Sequence, residues 1–493
     1  MNHIYRIVWN ALTNTWVAVA ENARSQGKGS KRTASKTGRK AGAKALVMAT
    51  LAMVGLAVTA AIAQTVPTGG NTTVYISANG VPVIDINSAN AAGLSHNRFT
   101  SYNVDARGLV LNNGNMDQLS RLSQLAGQVA GNANLAQQAR VILNEVVSTN
   151  RSLLAGFTEV LGGRADVVVA NPNGITCNGC GFINTDRITL TTGTPGFGAD
   201  GSLNGFNVNR GDVLITGAGA NANAQQIFDI VARTVRIDGK INTSDTGSLG
   251  ITAGANNWSY GGRNVTGAAS PSGAAGAYAI DSTALGGMYS GRINIIATEA
   301  GVGVRMLGEA AASADNFRLT SAGKIELQAA LSARQDLTVT TTAASGNEDL
   351  FVNGAAKLSA AANLALNAAG GQIKLADGEL HAANNLTTTA ASLSDASAAA
   401  KTRFAGGSNT LAITGAANIN GTAWGAGGAL TGNANNLTIG NNGATLYAGT
   451  TLALSTTNNL ALGTAAVRSA GNMTLAADTG SITTASGAAQ GIQ

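Results

Sequence analysis

Large aromatic side chains are scarce here. They make up 4% of the 493 residues, so a conventional core packed around Phe, Tyr and Trp cannot be assembled from most of this chain. Charge is scarce too, at 11%, and there are five prolines. Disordered chains usually carry more of both, and aliphatic residues recur throughout this one, which argues against disorder. Histidines number three and cysteines two. Beyond residue 63 only His96 and His381 remain, dispersed, so neither a catalytic triad nor a structural zinc site with the two thiols is in view. The chain also lacks an acidic cluster, a phosphate-cradling Gly-Lys-Ser/Thr motif and Asp-rich calcium-binding nonapeptides. With 64 glycines, chance Gly-x-Gly matches carry no weight. The reading is therefore no catalytic residue, no metal and no cofactor.

The net charge of +6 suggests a nucleic-acid partner until its location is considered. Residues 1–63 hold nine basic side chains against Glu21, or +8, which leaves 22 basic and 24 acidic residues, or −2, in the remainder. With the leader removed there is no basic field for phosphates, so no nucleic-acid partner is expected. From Ala45 the apolar run ALVMATLAMVGLAVTAAIA follows Lys44 and closes on Ala61-Ile62-Ala63. Small residues at the exit favour a secretory signal cleaved between Ala63 and Gln64 over a membrane anchor. In front of it, Tyr5-Arg6-Ile7-Val8-Trp9-Asn10 and Trp16-Val17-Ala18-Val19 precede a basic block. This extension resembles the extended signal peptide region of type V secreted proteins.

Several blocks follow in a telling order. They are Ser95-His96-Asn97-Arg98-Phe99 with Tyr102-Asn103-Val104, then Gly108 and Asn112-Asn113, then Ile142-Leu143-Asn144-Glu145-Val146. Next come Val167-Val168-Val169-Ala170-Asn171-Pro172-Asn173-Gly174-Ile175, and last Ala284-Leu285-Gly286-Gly287-Met288-Tyr289 with Thr298-Glu299-Ala300-Gly301-Val302-Gly303-Val304. Together they resemble the two-partner secretion domain shared by filamentous haemagglutinins, haemolysins and contact-dependent inhibition exoproteins. The resemblance covers residues 64–308.

Val167 to Val169 is a β-branched run ended by Asn-Pro-Asn-Gly, where Pro172 fixes φ and Gly174 permits a positive one. It reads as a strand closed by a tight turn. The resemblance implies that Asn171, Pro172, Asn173, Gly174 and Ile175 serve secretion, together with an upstream Asn-Pro-Asn-Leu block. Here that block is Asn132-Ala133-Asn134-Leu135, with Ala in place of Pro. Recognition by the partner and a folding role both stay open for these residues. Between Asp117 and Val147, Leu119, Leu122, Leu125 and Val129 recur at helical spacing, which predicts a short helical excursion. Cys177 and Cys180 flank Asn178-Gly179 directly after the turn. In an exported chain the pair reads as a disulfide closing a small loop, whereas a thioredoxin-like motif would need a βαβ context absent here. Haemolysin and contact-inhibition members carry a similar pair.

From about Asp315 the chain beats in aliphatic-x-aliphatic pairs: Ile325/Leu327, Leu337/Val339, Leu364/Leu366, Ile373/Leu375, Leu411/Ile413, Leu437/Ile439, Leu452/Leu454, Leu460/Leu462 and Met473/Leu475. This is strand alternation. Asn-Leu starts at Asn363, Asn385, Asn436 and Asn459 return after 22, 51 and 23 residues, an irregular multiple of a little over twenty. Such strands cannot bury themselves singly, and stacking coils would bury them together. The expected fold is all-β: a right-handed parallel β-helix with extra-helical β elements in the secretion domain. Residues 1–63 read as leader, 64–308 as secretion domain and 309–493 as β-helical repeats. The last of these shows no cap, as a truncated exoprotein would.

The resemblance implies export through an outer-membrane transporter whose periplasmic domains bind the unfolded secretion domain by adding a strand. It places the product outside a Gram-negative cell. Two functions compete: a β-helical adhesin or scaffold directed at host glycans or cell-surface receptors, and the N-terminal part of a haemolysin or contact-dependent inhibition toxin carrier. The cysteine pair leans toward the second. A β-helical polysaccharide lyase would need clustered Asp, Arg or Lys on one face, and few are supplied.

Overall fold

A strand with two inward aliphatics has nothing within its own coil to pack against. The computed structural model, which describes residues 5–10, 15–20, 65–342, 349–354, 356–440 and 443–485, shows how neighbouring coils supply the contact. It separates into a unit at Met1–Val58 and one at Thr59–Gln493. In the first unit, Tyr5–Asn10 pairs antiparallel with Thr15–Ala20. The apolar run 45–63 and the cleavage pair Ala63/Gln64 lie outside the described residues. No described helix is long and apolar enough to cross a membrane.

The second unit is a right-handed parallel β-helix of about 17 turns, and no helix occurs among the described residues. Its strands join in one 42-stranded sheet that folds around three faces. Register is kept from coil to coil. Val167 lies beside Ile188, Ile188 beside Phe228, Phe228 beside Leu249, Leu249 beside Ile293 and Ile293 beside Phe317. All six are fully buried, so each coil covers the apolar side chains of the last. The ladders run through Gly308 without a break. The aliphatic beats beyond Asp315 are strands as expected, except that Leu462 lies just past the end of its strand, and their aliphatics turn inward, Met473 and Leu475 only partly buried.

The Asn-Leu starts form ladders, but on two corners. Asn385 Nδ2 donates to Asn363 Oδ1 at 3.1 Å, and Asn363 Nδ2 to Asp336 Oδ1 at 2.9 Å, where strands enter one face. On another face the Asn459 N–H donates to Asn436 Oδ1 at 3.2 Å and the Ser481 N–H to Asn459 Oδ1 at 3.1 Å. The 51-residue interval is thus a change of corner and not a multiple of the coil.

The first coils are covered by antiparallel strands. Val66–Pro67 pairs with Leu94–Ser101, and Thr73–Ile76 with Pro82–Asp85, so these edges are not left open. Outside the helix, Thr194–Phe197, Leu203–Val208, Asn256–Ser259 and Asn264–Ala268 form an antiparallel sheet. It packs Leu203, Phe206, Val208 and Trp258 on the outward-facing Leu143, Val168 and Val231.

The helical excursion expected around Leu119 to Val129 is instead a hairpin, Ser120–Ser123 with Gly127–Ala130. Glu159 fixes its turn, accepting from Ser123 Oγ at 2.6 Å and from the Gln124 and Leu125 N–H groups at 3.0 Å, and Gly127 takes φ 72°. Leu125 and Val129 pack inward, whereas Leu119 and Leu122 are 88% and 74% exposed. A buried carboxylate therefore overrides the local spacing.

One coil places charge inside the helix. Asp395 stands between Leu375 and Ile419 in the ladder, and Arg403 between Leu380 and Trp424. Both side chains are 0% exposed. Arg403 donates to Asp395 Oδ1 at 2.9 Å and to the Gly378 carbonyl, while Trp424 Nε1 and Thr422 Oγ1 donate to Asp395 Oδ2 at 2.8 and 2.9 Å. Burial pushes the Asp395 carboxyl up and the Arg403 guanidinium down, both toward neutrality, so desolvation outweighs the mutual attraction. Arg403→Met alone strands a buried carboxylate and should cost about 3–5 kcal/mol. Asp395→Asn/Arg403→Met keeps an acceptor for Trp424 and Thr422 and should recover at least half of that. Hydrogen exchange of amides in residues 386–426 checks both, and a double variant no better than the single contradicts this reading.

Candidate functional site

The two secretion blocks fold into the same device. At Asn171 the chain leaves the strand Asp166–Ala170, and the Gly174 N–H donates to the Asn171 carbonyl at 3.0 Å, closing a four-residue turn. The Asn171 side chain faces inward. Its Oδ1 accepts the Asn173 N–H at 2.9 Å, and its Nδ2 donates to the Asn150 carbonyl at 2.9 Å and Ser152 Oγ at 3.0 Å in the preceding coil. Asn173 Nδ2 reaches back to the Ser148 carbonyl at 2.6 Å. Gly174 has φ 104°, and a Cβ there would strike the Arg151 guanidinium.

At Asn132 the pattern repeats. The Leu135 N–H donates to the Asn132 carbonyl at 3.2 Å, and Asn132 Oδ1 accepts the Asn134 N–H at 2.9 Å. Asn132 Nδ2 donates to the Ile86 and Asn112 carbonyls at 3.0 and 2.9 Å, and Asn134 Nδ2 to the Asn71 carbonyl at 2.7 Å. Asn132 and Asn171 are both fully buried, and Leu135 and Ile175 enter the main core. Each turn thus uses one Asn as a bracket between coils. Ala133 and Pro172 occupy the same second position, Ala133 exposed and Pro172 half-buried.

More asparagines act alike, and the sequence reading gave them no role. Asn97 Oδ1 accepts from Thr72 Oγ1 and the Asn87 N–H, both at 2.9 Å. Asn113 Nδ2 donates to the Ala139 and Gly163 carbonyls at 2.9 and 2.8 Å. Asn112 Nδ2 donates to Asp85 Oδ1 at 2.7 Å. Burial holds the Asp85 carboxyl above its usual range, against the pull of that bond. The one signal available was that Asn97 and Asn112-Asn113 lie inside the matching blocks.

Cys177 and Cys180 form a disulfide, with sulfurs 1.93 Å apart and both residues almost wholly buried. It staples the corner between the strands Ile175–Cys177 and Cys180–Ile183, where Gly179 takes φ 86°. Among the described residues no group of three or more His, Cys, Asp or Glu side chains is placed to hold a metal.

Ala133 makes no backbone hydrogen bond through its N–H to any described residue and sits where its twin carries Pro172. Ala133→Pro should therefore raise stability by about 0.4–1 kcal/mol, since it restricts the unfolded chain without removing a bond. A higher urea midpoint checks this; a lower one contradicts the twin-turn geometry.

Comparison with known proteins gives this architecture a family. The TPS secretion domain family matches residues 59–327, and the extended signal peptide of the type V secretion system matches residues 1–53. The chain is 44% identical over 275 residues to a 16S rRNA endonuclease CdiA of Enterobacter cloacae, covering 55% of this chain and 8% of that protein. It is 42% identical over 363 residues to a tRNA nuclease CdiA of Escherichia coli, covering 70% and 11%. To the filamentous hemagglutinin of Bordetella pertussis it is 37% identical over 341 residues, covering 66% and 9%. The chain thus spans about a tenth of the length of these curated relatives. The crystal structure of a filamentous hemagglutinin secretion domain superposes with a TM-score of 0.51 at 37% identity, over 63% of this chain and 98% of that one. With the TPS match covering more than half of its length, the chain belongs to the TPS secretion domain family and is a secreted β-helical exoprotein of the two-partner type from a Gram-negative bacterium.

Proposed function

We propose that residues 64–308 are an export address read before they fold, and that residues 309–493 continue the helix as a non-enzymatic shaft. The reader is an outer-membrane transporter whose periplasmic domains take hold of the unfolded segment, by strand addition to its exposed backbone. Signal cleavage between Ala63 and Gln64 delivers the chain to them. The observation that carries this reading is the burial of Asn132 and Asn171. Their amides are occupied inside the folded helix, so a partner that reads those two side chains must do so earlier, while the exposed Ala133 and the half-buried Asn134, Pro172 and Asn173 stay partly within reach afterwards. Folding outside the cell then adds coils one by one to those already formed.

Outside, the shaft serves as an adhesin or scaffold toward host glycans or cell-surface receptors. A second reading, the carrier portion of a contact-dependent inhibition toxin, is favoured by the relatives named as nucleases and by the Cys177–Cys180 pair. In that reading the nuclease activity belongs to other parts of those longer proteins. Co-expression with and without the cognate transporter tests the export step. Culture supernatant should contain a protein beginning at Gln64 only when the transporter is present, and deletion of residues 64–308 should abolish release. Release without the transporter, or retention despite it, contradicts the proposal.

A further inference from the structure

The extra-helical sheet overhangs one face of the helix and leaves a cleft of about 440 Å³ at its side. Outward residues of successive strands form the floor. Asp229, Gly250, Asn294 and Arg318 stand in one row, with Ser248 and Arg292 in the next. Arg263 and Trp258 of the overhang make the wall. Gly250 keeps the floor open, since a Cβ there would press on the Asp229 carboxylate.

Donors outnumber acceptors in this cleft. Asp229 is its only acid, and Arg263 and Arg187 already bind it at 2.8 and 3.2 Å. Arg292 turns two nitrogens to Asp315, which leaves one amino group with no hydrogen bond to any described residue. Arg318 makes no side-chain hydrogen bond or ion pair with any described residue. Arg263 holds φ 52°, a conformation unfavourable for a residue with a side chain, and in doing so keeps its guanidinium over the floor. The aliphatic and aromatic lining residues Val231, Ile293 and Trp258 are at most 3% exposed, so an occupant meets amides, hydroxyls and guanidinium groups. The volume falls within the ~300–1,000 Å³ of small-ligand sites and exceeds what a single oxyanion fills.

We propose that this cleft binds an acidic saccharide. Its carboxylate or sulfate ester lies on Arg318 and the free edge of Arg292, and ring hydroxyls pack over Gly250 against Ser248 and Asn294. Arg suits this task because its planar fork matches both oxyanions. A sugar fits better than an acidic peptide, since Ser248, Thr252, Asn294 and Asn316 offer hydroxyl and amide groups to ring hydroxyls and the lining offers no apolar subsite. The proposal rests on the adhesin reading, which presents the cleft to glycans, but the site itself stands on these residues.

Calorimetry on the purified mature chain tests it, with a galacturonate disaccharide, N-acetylglucosamine 6-sulfate, lactose and hexaglutamate as probes. At least one acidic sugar should bind about tenfold or more tighter than lactose, and more weakly as salt rises. Which of the two binds identifies the oxyanion. Arg318→Gln should lower that affinity about tenfold with an unchanged urea midpoint, because the residue is exposed on a strand surface. Asn294→Trp should abolish binding by filling the floor. Lack of binding, equal affinity for lactose, full affinity in Arg318→Gln or equal affinity for hexaglutamate overturns the proposal. Export is scored separately in the supernatant, so a chain that is released yet binds no acidic sugar overturns the cleft and leaves the export reading intact.

Discussion

No coil of this helix can bury its own interior. Two inward aliphatics per strand meet only the thin centre of a triangle, and their cover comes from the same positions one coil away, as Leu249 is covered by Phe228 and Ile293. Composition follows from that constraint. Small residues fit corners where backbones approach closely, aliphatics with a few aromatics such as Phe228 and Phe317 fill the interior, and polar side chains serve as brackets between neighbours. The first coil has no predecessor, and the antiparallel strands Val66–Pro67 and Thr73–Ile76 stand in for one.

The same constraint decides what was legible in the sequence. Strand beats such as Leu337/Val339 and Ile373/Leu375 are local, so the β-helix could be read directly from them. The turn after Val167–Val169 was equally plain, because Pro172 and Gly174 state their backbone angles. Leu119 to Val129 misled because Glu159, a distant residue, holds that turn. The Asn-Leu spacing misled because sequence does not show which corner a residue occupies. Nothing in the local sequence marks Asp395 and Arg403 as a buried pair, and the arginine cleft draws on residues from Asp229 to Arg318 that only coil stacking brings together. Family likeness pointed to Asn132 and Asn171 without saying what their side chains do.

The proposed export role ties folding to export. In both turns an asparagine amide binds the coil before it, so residues proposed to mark the chain for its transporter also fasten neighbouring coils together. A chain recognised through these side chains is by that fact an unfolded chain. Once the coils form, the Asn132 and Asn171 side chains are buried and no longer offered to a partner.

The most direct measurement is refolding of the mature chain from urea with no transporter present, comparing the parent with Asn132→Ala and Asn171→Ala. Asn132→Ala leaves the buried Ile86 and Asn112 carbonyls without their donor, and Asn171→Ala removes the bonds to the Asn150 carbonyl and Ser152 Oγ, so the account predicts slower refolding and a loss of about 1–3 kcal/mol in amide protection around residues 84–175. Parental refolding and protection, in variants that are nonetheless not exported, would show that the asparagines serve recognition alone and would contradict it.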